Sequence, residues 1–198
     1  MIKSKADYLY YLRCDKKALN KTTKRPRFKH DIIWKFQILL RKCEYLENCK
    51  TGLFWQLISK IYKLRYVILS QKLGFSMGFN TFGPGLSIAH YGALVINNNA
   101  RVGVNCRIHE GVTIGVSDDS YFTGGEPEAA PKIGNNVFIA TGAKIIGNVT
   151  IADGVAIGAN AVVVKDISEP NITVGGVPAK KISDNGSDKY VIKAAEIL

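Results

Sequence analysis

Residues 133–168, IGNNVF IATGAK IIGNVT IADGVA IGANAV VVKDIS, are one six-residue pattern written over and over. Each unit opens on Ile or Val, often continues with Gly or Ala, and carries a small or β-branched residue fifth. Upstream the same register gives FGPGLS and IAHYGA, then a two-residue excess at Leu94 and Val95, then INNNAR, VGVNCR, IHEGVT and IGVSDD. Self-similarity at a short fixed period predicts a solenoid, with one short strand and turn per unit and three units, roughly 18 residues, closing a triangular coil. First-position aliphatics stack on those of neighbouring coils, while Gly, Asn and Asp take the sharp corners. Such an interior offers no partner to a polar group, so residues that carry chemistry have to point outward.

The first 72 residues follow a different period. HDIIWKFQILLRKCEYLENCK sets Ile32, Ile33, Phe36, Leu39, Leu40 and Cys43 three and four residues apart, and GLFWQLISKIYKLRYVILSQKL repeats that spacing after Gly52. With a shorter segment, DYLYYLRCDKKALN, they predict a small helical region whose apolar stripes serve as core or partner-helix contact. Residues 1–72 hold 18 Lys and Arg against 5 Asp and Glu, whereas residues 73–198 hold 9 against 11. A basic segment suits an anionic membrane surface, a polyanionic substrate or simply a solvated helix face. No nucleic-acid motif accompanies it, so nucleic acid is not an expected partner.

With 46% apolar and 22% charged residues the composition is that of a globular protein. Lys60, Lys63, Arg65 and Lys72 break up the most hydrophobic stretch, and MIKSKADYLYYLRCD lacks the apolar block of a signal peptide, so the expected location is cytoplasmic. Cys14, Cys43, Cys49 and Cys106 have no metal-ligand spacing; reduced thiols and no metal are expected.

Three stretches, GPGLSIAHYG, PKIGNNVFIATGAKIIGNVTIADGVAIGANAVV and the closing VGGVPAKKI, resemble the hexapeptide-repeat acyltransferases, and within them the serine acetyltransferase-like branch. The resemblance covers about residues 75–182. It implies a mainly β chain: a left-handed parallel β-helix over 75–182, interrupted by a loop at 116–131, after a basic α-helical domain at 1–74 and before a tail at 183–198. It also implies a homotrimer that binds acetyl-CoA in a groove between subunits, and a histidine that deprotonates an acceptor hydroxyl as it attacks the thioester. Free imidazole titrates near pH ~6.5, which suits that task.

By position His90 matches the family's catalytic histidine, and His109, second in its unit one coil later, faces the same side. Glu110 and the loop acids Asp118, Asp119, Glu126 and Glu128 are candidates to orient an imidazole or to bind acceptor hydroxyls, whereas His30 reads as solvent-facing. Thr141, Gly142 and Ala159 match the family's pantetheine path, and Gly175, Gly176, Pro178, Lys180 and Lys181 resemble the segment that folds over CoA. Two positions depart from the serine enzyme: Phe75 stands where an aspartate is expected and Ala130 where a second histidine is expected. Both losses remove polar contacts for a small amino acid. The chain also resembles serine acetyltransferase-like proteins of surface-polysaccharide biosynthesis, and that resemblance implies acetyl-CoA-dependent O-acetylation of a sugar hydroxyl, with peripheral contact of the basic helical half to an anionic membrane or glycan. Serine O-acetylation, N-acetylation of an amino sugar and a non-enzymatic scaffold are the alternatives.

Overall fold

The computed structural model describes residues 1–117 and 130–197. Three helices lead: α1 (Lys5–Ala18), α2 (Ile32–Cys49) and α3 (Leu53–Leu73). The Ser4 hydroxyl caps α1 by accepting the Asp7 N–H at 3.0 Å. Gly74, at φ 76°, ends α3 in the left-handed conformation that favours glycine. The strands follow: β1 (Phe75–Met77), β2 (Ser87–Ile88), β3 (Leu94–Ile96), β4 (Arg101–Val102), β5 (Arg107–Ile108), β6 (Thr113–Gly115), β7 (Lys132–Ile133), β8 (Phe138–Ile139), β9 (Lys144–Ile146), β10 (Thr150–Ile151), β11 (Ala156–Ile157), β12 (Val162–Val163), β13 (Thr173–Gly175) and β14 (Lys180–Ser183). A last short helix, α4, spans Ala194–Ile197.

From β2 to β12 successive strands visit three parallel sheets in rotation, the arrangement expected of a coiled hexapeptide solenoid. In the longest sheet Ile88, Ile108, Ile139, Ile157 and Val174 stand in register and are buried, one aliphatic layer above another. The step from Ile139 to Ile157 is one regular coil. The step from Ile108 to Ile139 is longer, 31 residues in place of 18; the acids Asp118, Asp119, Glu126 and Glu128 of the segment expected as a loop lie outside the described residues.

One detail of the sequence register needs correction. Val95 pairs with Thr113 and Ile96 with Ile114, so Leu94–Ile96 is a regular strand with Leu94 and Ile96 inside. The two-residue excess lies instead between Ile88 and Leu94, at the corner that carries His90 and Tyr91. Counting first-position aliphatics cannot distinguish these placements, because fifth and first positions both face inward.

The helices close the first coil. Phe36, Leu40, Tyr66 and Leu73 share one apolar cluster with the solenoid interior, and Phe36 stacks on Tyr66 at 5.2 Å while meeting Phe75 edge-on at 5.0 Å. Gln37 Nε2 donates to Leu86 O at 2.7 Å, and its Oε1 accepts the Ile88 N–H at 3.2 Å. Arg41, fully buried, donates to Asp15 at 2.8 Å, to Glu44 at 3.0 Å and to the carbonyls of Phe82 and Gly83 at 2.9 and 2.7 Å. Asp15 in turn accepts the N–H groups of Gly85 and Leu86, both at 2.9 Å. The C-terminal residues return to this end, where Tyr10 Oη donates to Ala195 O at 2.8 Å and Ala195 N donates to Asn105 Oδ1 at 2.8 Å.

Candidate active site

His90 leaves the coil just after β2, at the corner loosened by the two extra residues, and its side chain is exposed. His109 directly follows inward-facing Ile108, so strand alternation turns its imidazole outward. The two rings meet edge to face, centroids 5.6 Å apart. One donor or acceptor atom from each of His90, His109 and Glu110 lies within 4.8 Å of the others. The solenoid therefore brings together two imidazoles and a carboxylate from adjacent coils. His30, by contrast, is exposed ahead of α2.

Glu110 is held from above and admitted from below. Its Oε1 accepts the Thr141 hydroxyl at 3.1 Å and its backbone carbonyl accepts the Gly142 N–H at 2.9 Å. Beneath it lies Gly92, at φ 140°, where a Cβ would come within 3.0 Å of the Glu110 Cβ. Its own backbone N–H holds the Glu110 carboxyl below the usual range, helped by Thr141 and by the two histidines. Burial holds the His109 imidazole below its usual value, with Arg107 and His90 acting the same way and Glu110 opposing them. At neutral pH the cluster therefore pairs an ionised carboxylate with a neutral His109. His109 Nε2 and Glu110 Oε2 are buried without a hydrogen-bond partner, a costly condition away from a ligand site.

Glu110 is the one group in this cluster that favours protonated His109, so Glu110→Gln is expected to move the His109 titration further to acid. Imidazole proton NMR across pH 4–9, about the range that brackets histidine, measures it; an unmoved titration would mean that the two side chains do not interact in solution.

The register extends this corner upward. Ile108 pairs with Ile139, Ile139 with Ile157 and Ile157 with Val174, so the residues two further on, Glu110, Thr141, Ala159 and Gly176, recur along one edge of the prism. At ~4.8 Å per coil this column is about 15 Å long, with His90 at its foot. Gly142 (φ 74°) adjoins it, and a Cβ there would run into the Asn160 side chain. Gly175 pairs with Lys180 in the β13–β14 hairpin, next to the Val177–Pro178 bond. Pro178 and Lys180 line a cavity of about 140 Å³ with Lys165, a cation that the sequence reading passed over. Lys181 differs from its neighbour: it pairs with Glu169 at 2.5 Å and Asp184 at 2.7 Å, so its charge is already matched by acids.

Phe138 meets His109 edge-on at 5.2 Å and stacks on Tyr190 at 4.5 Å, so Phe138, backed by Tyr190, walls one side of His109. Only the fold could reveal that wall, because Tyr190 lies beyond the last repeat. Phe75 and Ala130 are both buried, and neither offers a polar contact. Cys43 and Cys106 are buried, their thiols pushed up to about 12 by that burial, and take no part. A divalent cation would fit among His90, His109 and Glu110, but it would occupy the lone pairs that proton transfer needs.

Residues 130–165 match the family model of the bacterial transferase hexapeptide (six repeats). Serine acetyltransferases are among the curated relatives that match the chain. The chain is 38% identical over 133 residues to the serine acetyltransferase of Staphylococcus xylosus, which covers 63% of this chain and 58% of that one. It is 38% identical over 104 residues to the enzyme of Synechococcus elongatus, covering 52% of this chain and 40% of that one. The chain thus spans about half the length of the curated relatives it matches. Among solved structures, serine acetyltransferase from Brucella abortus in complex with coenzyme A is similar with a TM-score of 0.72 at 26% identity, covering 92% of this chain and 70% of that one. The Neisseria gonorrhoeae serine acetyltransferase is similar with a TM-score of 0.70 at 25% identity, covering 98% and 72%.

Proposed function

We propose that the protein is an acetyl-CoA-dependent O-acetyltransferase in which His90 is the general base. The observation that carries this reading is the cluster of His90, His109 and Glu110 at the foot of a straight outer column of small residues. An extended thioester arm fits such a column, because Thr141, Ala159 and Gly176 present little side-chain bulk there. An acceptor hydroxyl gives its proton to His90 as its oxygen bonds to the thioester carbon. The tetrahedral intermediate then expels the CoA sulfur, which takes the proton from the imidazolium and leaves as a thiol. Glu110 stabilises that imidazolium, and neutral His109 accepts a hydrogen bond from the acceptor. The working assembly is proposed as a homotrimer on a left-handed β-helix in the cytoplasm, with the column lining an intersubunit groove.

Serine is the acceptor that the similar proteins' names favour, and it replaces the sugar of a surface polysaccharide as the first reading. A sugar hydroxyl stays as the second on one observation: the buried apolar side chains of Phe75 and Ala130 give no polar hold on a small amino acid. Thiol release from acetyl-CoA, measured with serine beside a panel of sugars and amino sugars, decides. Release that saturates with serine supports the first reading and release confined to sugar alcohols the second. An amine-only profile overturns O-transfer, and no release with any acceptor overturns the enzyme.

A further inference from the structure

α3 packs on the rest of the molecule through Tyr66, Ser70 and Leu73 and leaves its other side bare. Phe54, Leu57, Ile61, Leu64 and Ile68, spaced alternately three and four residues apart, form one continuous row on that side, each 53–67% exposed. An apolar row of this length on a water-facing helix marks a docking surface. Its flanks carry Lys60 on one side and Arg65 and Lys72 on the other, and α3 contains no acidic residue.

The row continues into a groove of about 820 Å³ between α2 and α3. Ile38, Leu39, Ile68 and Leu69 supply its apolar lining; Arg25, Lys35, Lys42, Arg65 and Lys72 supply its charge, and no carboxylate lines it among the described residues. Beside it Phe28, 90% exposed, sits under the Lys35 ammonium in the run KTTKRPRFK.

A second copy of the chain fits this surface poorly. The alternating spacing would make the row the seam of a helix pair, and Lys60, Arg65 and Lys72 would then flank that seam facing other cations. The complementary occupant is apolar in depth and anionic at its surface. We infer that α3 and the adjoining groove dock the protein on an anionic phospholipid bilayer, the helix lying in the interface with its apolar row among the acyl chains and its cations at the phosphates. Among the described residues no helix is long and apolar enough to cross a membrane, so the contact is peripheral. This inference does not depend on the acceptor or on the chemistry of the histidine cluster.

The test is flotation of the full chain with vesicles of phosphatidylcholine alone and with about 30% phosphatidylglycerol, at low and high salt. The wild type is expected to float with the anionic vesicles and to be released by salt. Lys60→Gln/Arg65→Gln/Lys72→Gln should weaken that partition by about a hundredfold. Ile61→Glu/Leu64→Glu should abolish it, and unchanged circular dichroism would show that this exposed face was altered without unfolding. If that pair unfolds, the triple charge variant, which keeps the apolar row, decides alone. The inference is overturned if the wild type ignores anionic vesicles or if the triple variant binds like the wild type. It is also overturned if Ile61→Glu/Leu64→Glu lowers the mass of the lipid-free particle, because a second copy is then the occupant.

Discussion

His90→Ala is expected to slow acetyl transfer by about 10²–10⁴-fold, the usual contribution of a positioned general base. The assignment to His90 rather than to its neighbour rests on their different surroundings. Burial, Arg107 and His90 all disfavour a proton on His109, whereas His90 stands exposed at a loosened corner where an incoming alcohol can reach it. The loss should fall on kcat, with the KM for acetyl-CoA little changed, because the proposed thioester path runs past Glu110, Thr141 and Ala159. In the wild type kcat/KM should rise with pH as an imidazole loses its proton, and this limb should vanish in His90→Ala. His109→Ala should keep the limb and lose less rate. Steady-state kinetics of the two variants across pH separate these outcomes; a flattened profile in His109→Ala with a normal one in His90→Ala would reverse the roles.

The second large effect is on stability. Arg41→Ala removes the cation from a buried group in which Asp15 and Glu44 are both nearly inaccessible, and leaves two carboxylates without their partner. Breaking a buried ion pair from one side costs about 3–5 kcal/mol, which for a chain of this size lowers the thermal midpoint by on the order of 10 °C. Removing the arginine together with one carboxylate, as Arg41→Met/Asp15→Asn, should recover part of the loss, since Asn keeps an acceptor for the Gly85 and Leu86 N–H groups. Denaturant unfolding measures both, and a loss under about 1 kcal/mol in Arg41→Ala would mean that water reaches the cluster.

The aliphatic layers were legible in the sequence because a period-six pattern has few physical realisations, and the outward histidines followed from the same pattern. Glu110 was harder. Its partnership with His90 depends on how two coils stack across an irregular corner, and the sequence assigned the two extra residues to Leu94 and Val95 instead. Arg41 is invisible for another reason: among the many cations of the N-terminal helices, one that is fully buried looks like one that is solvated. Lys180 and Lys181 look alike in the sequence, both within the stretch that resembles the CoA-covering segment, yet Glu169 and Asp184 pair with Lys181, through a hairpin whose register no local pattern announces. The exposed row of α3 was read as core or partner contact, and the fold leaves it uncovered.

The most direct measurement is a crystal structure of the protein with CoA bound. The arm is expected along the edge marked by Thr141, Ala159 and Gly176, with its sulfur beside the His90 imidazole. CoA bound on another face, or a sulfur too far from His90 for a hydroxyl to bridge them, would contradict the account.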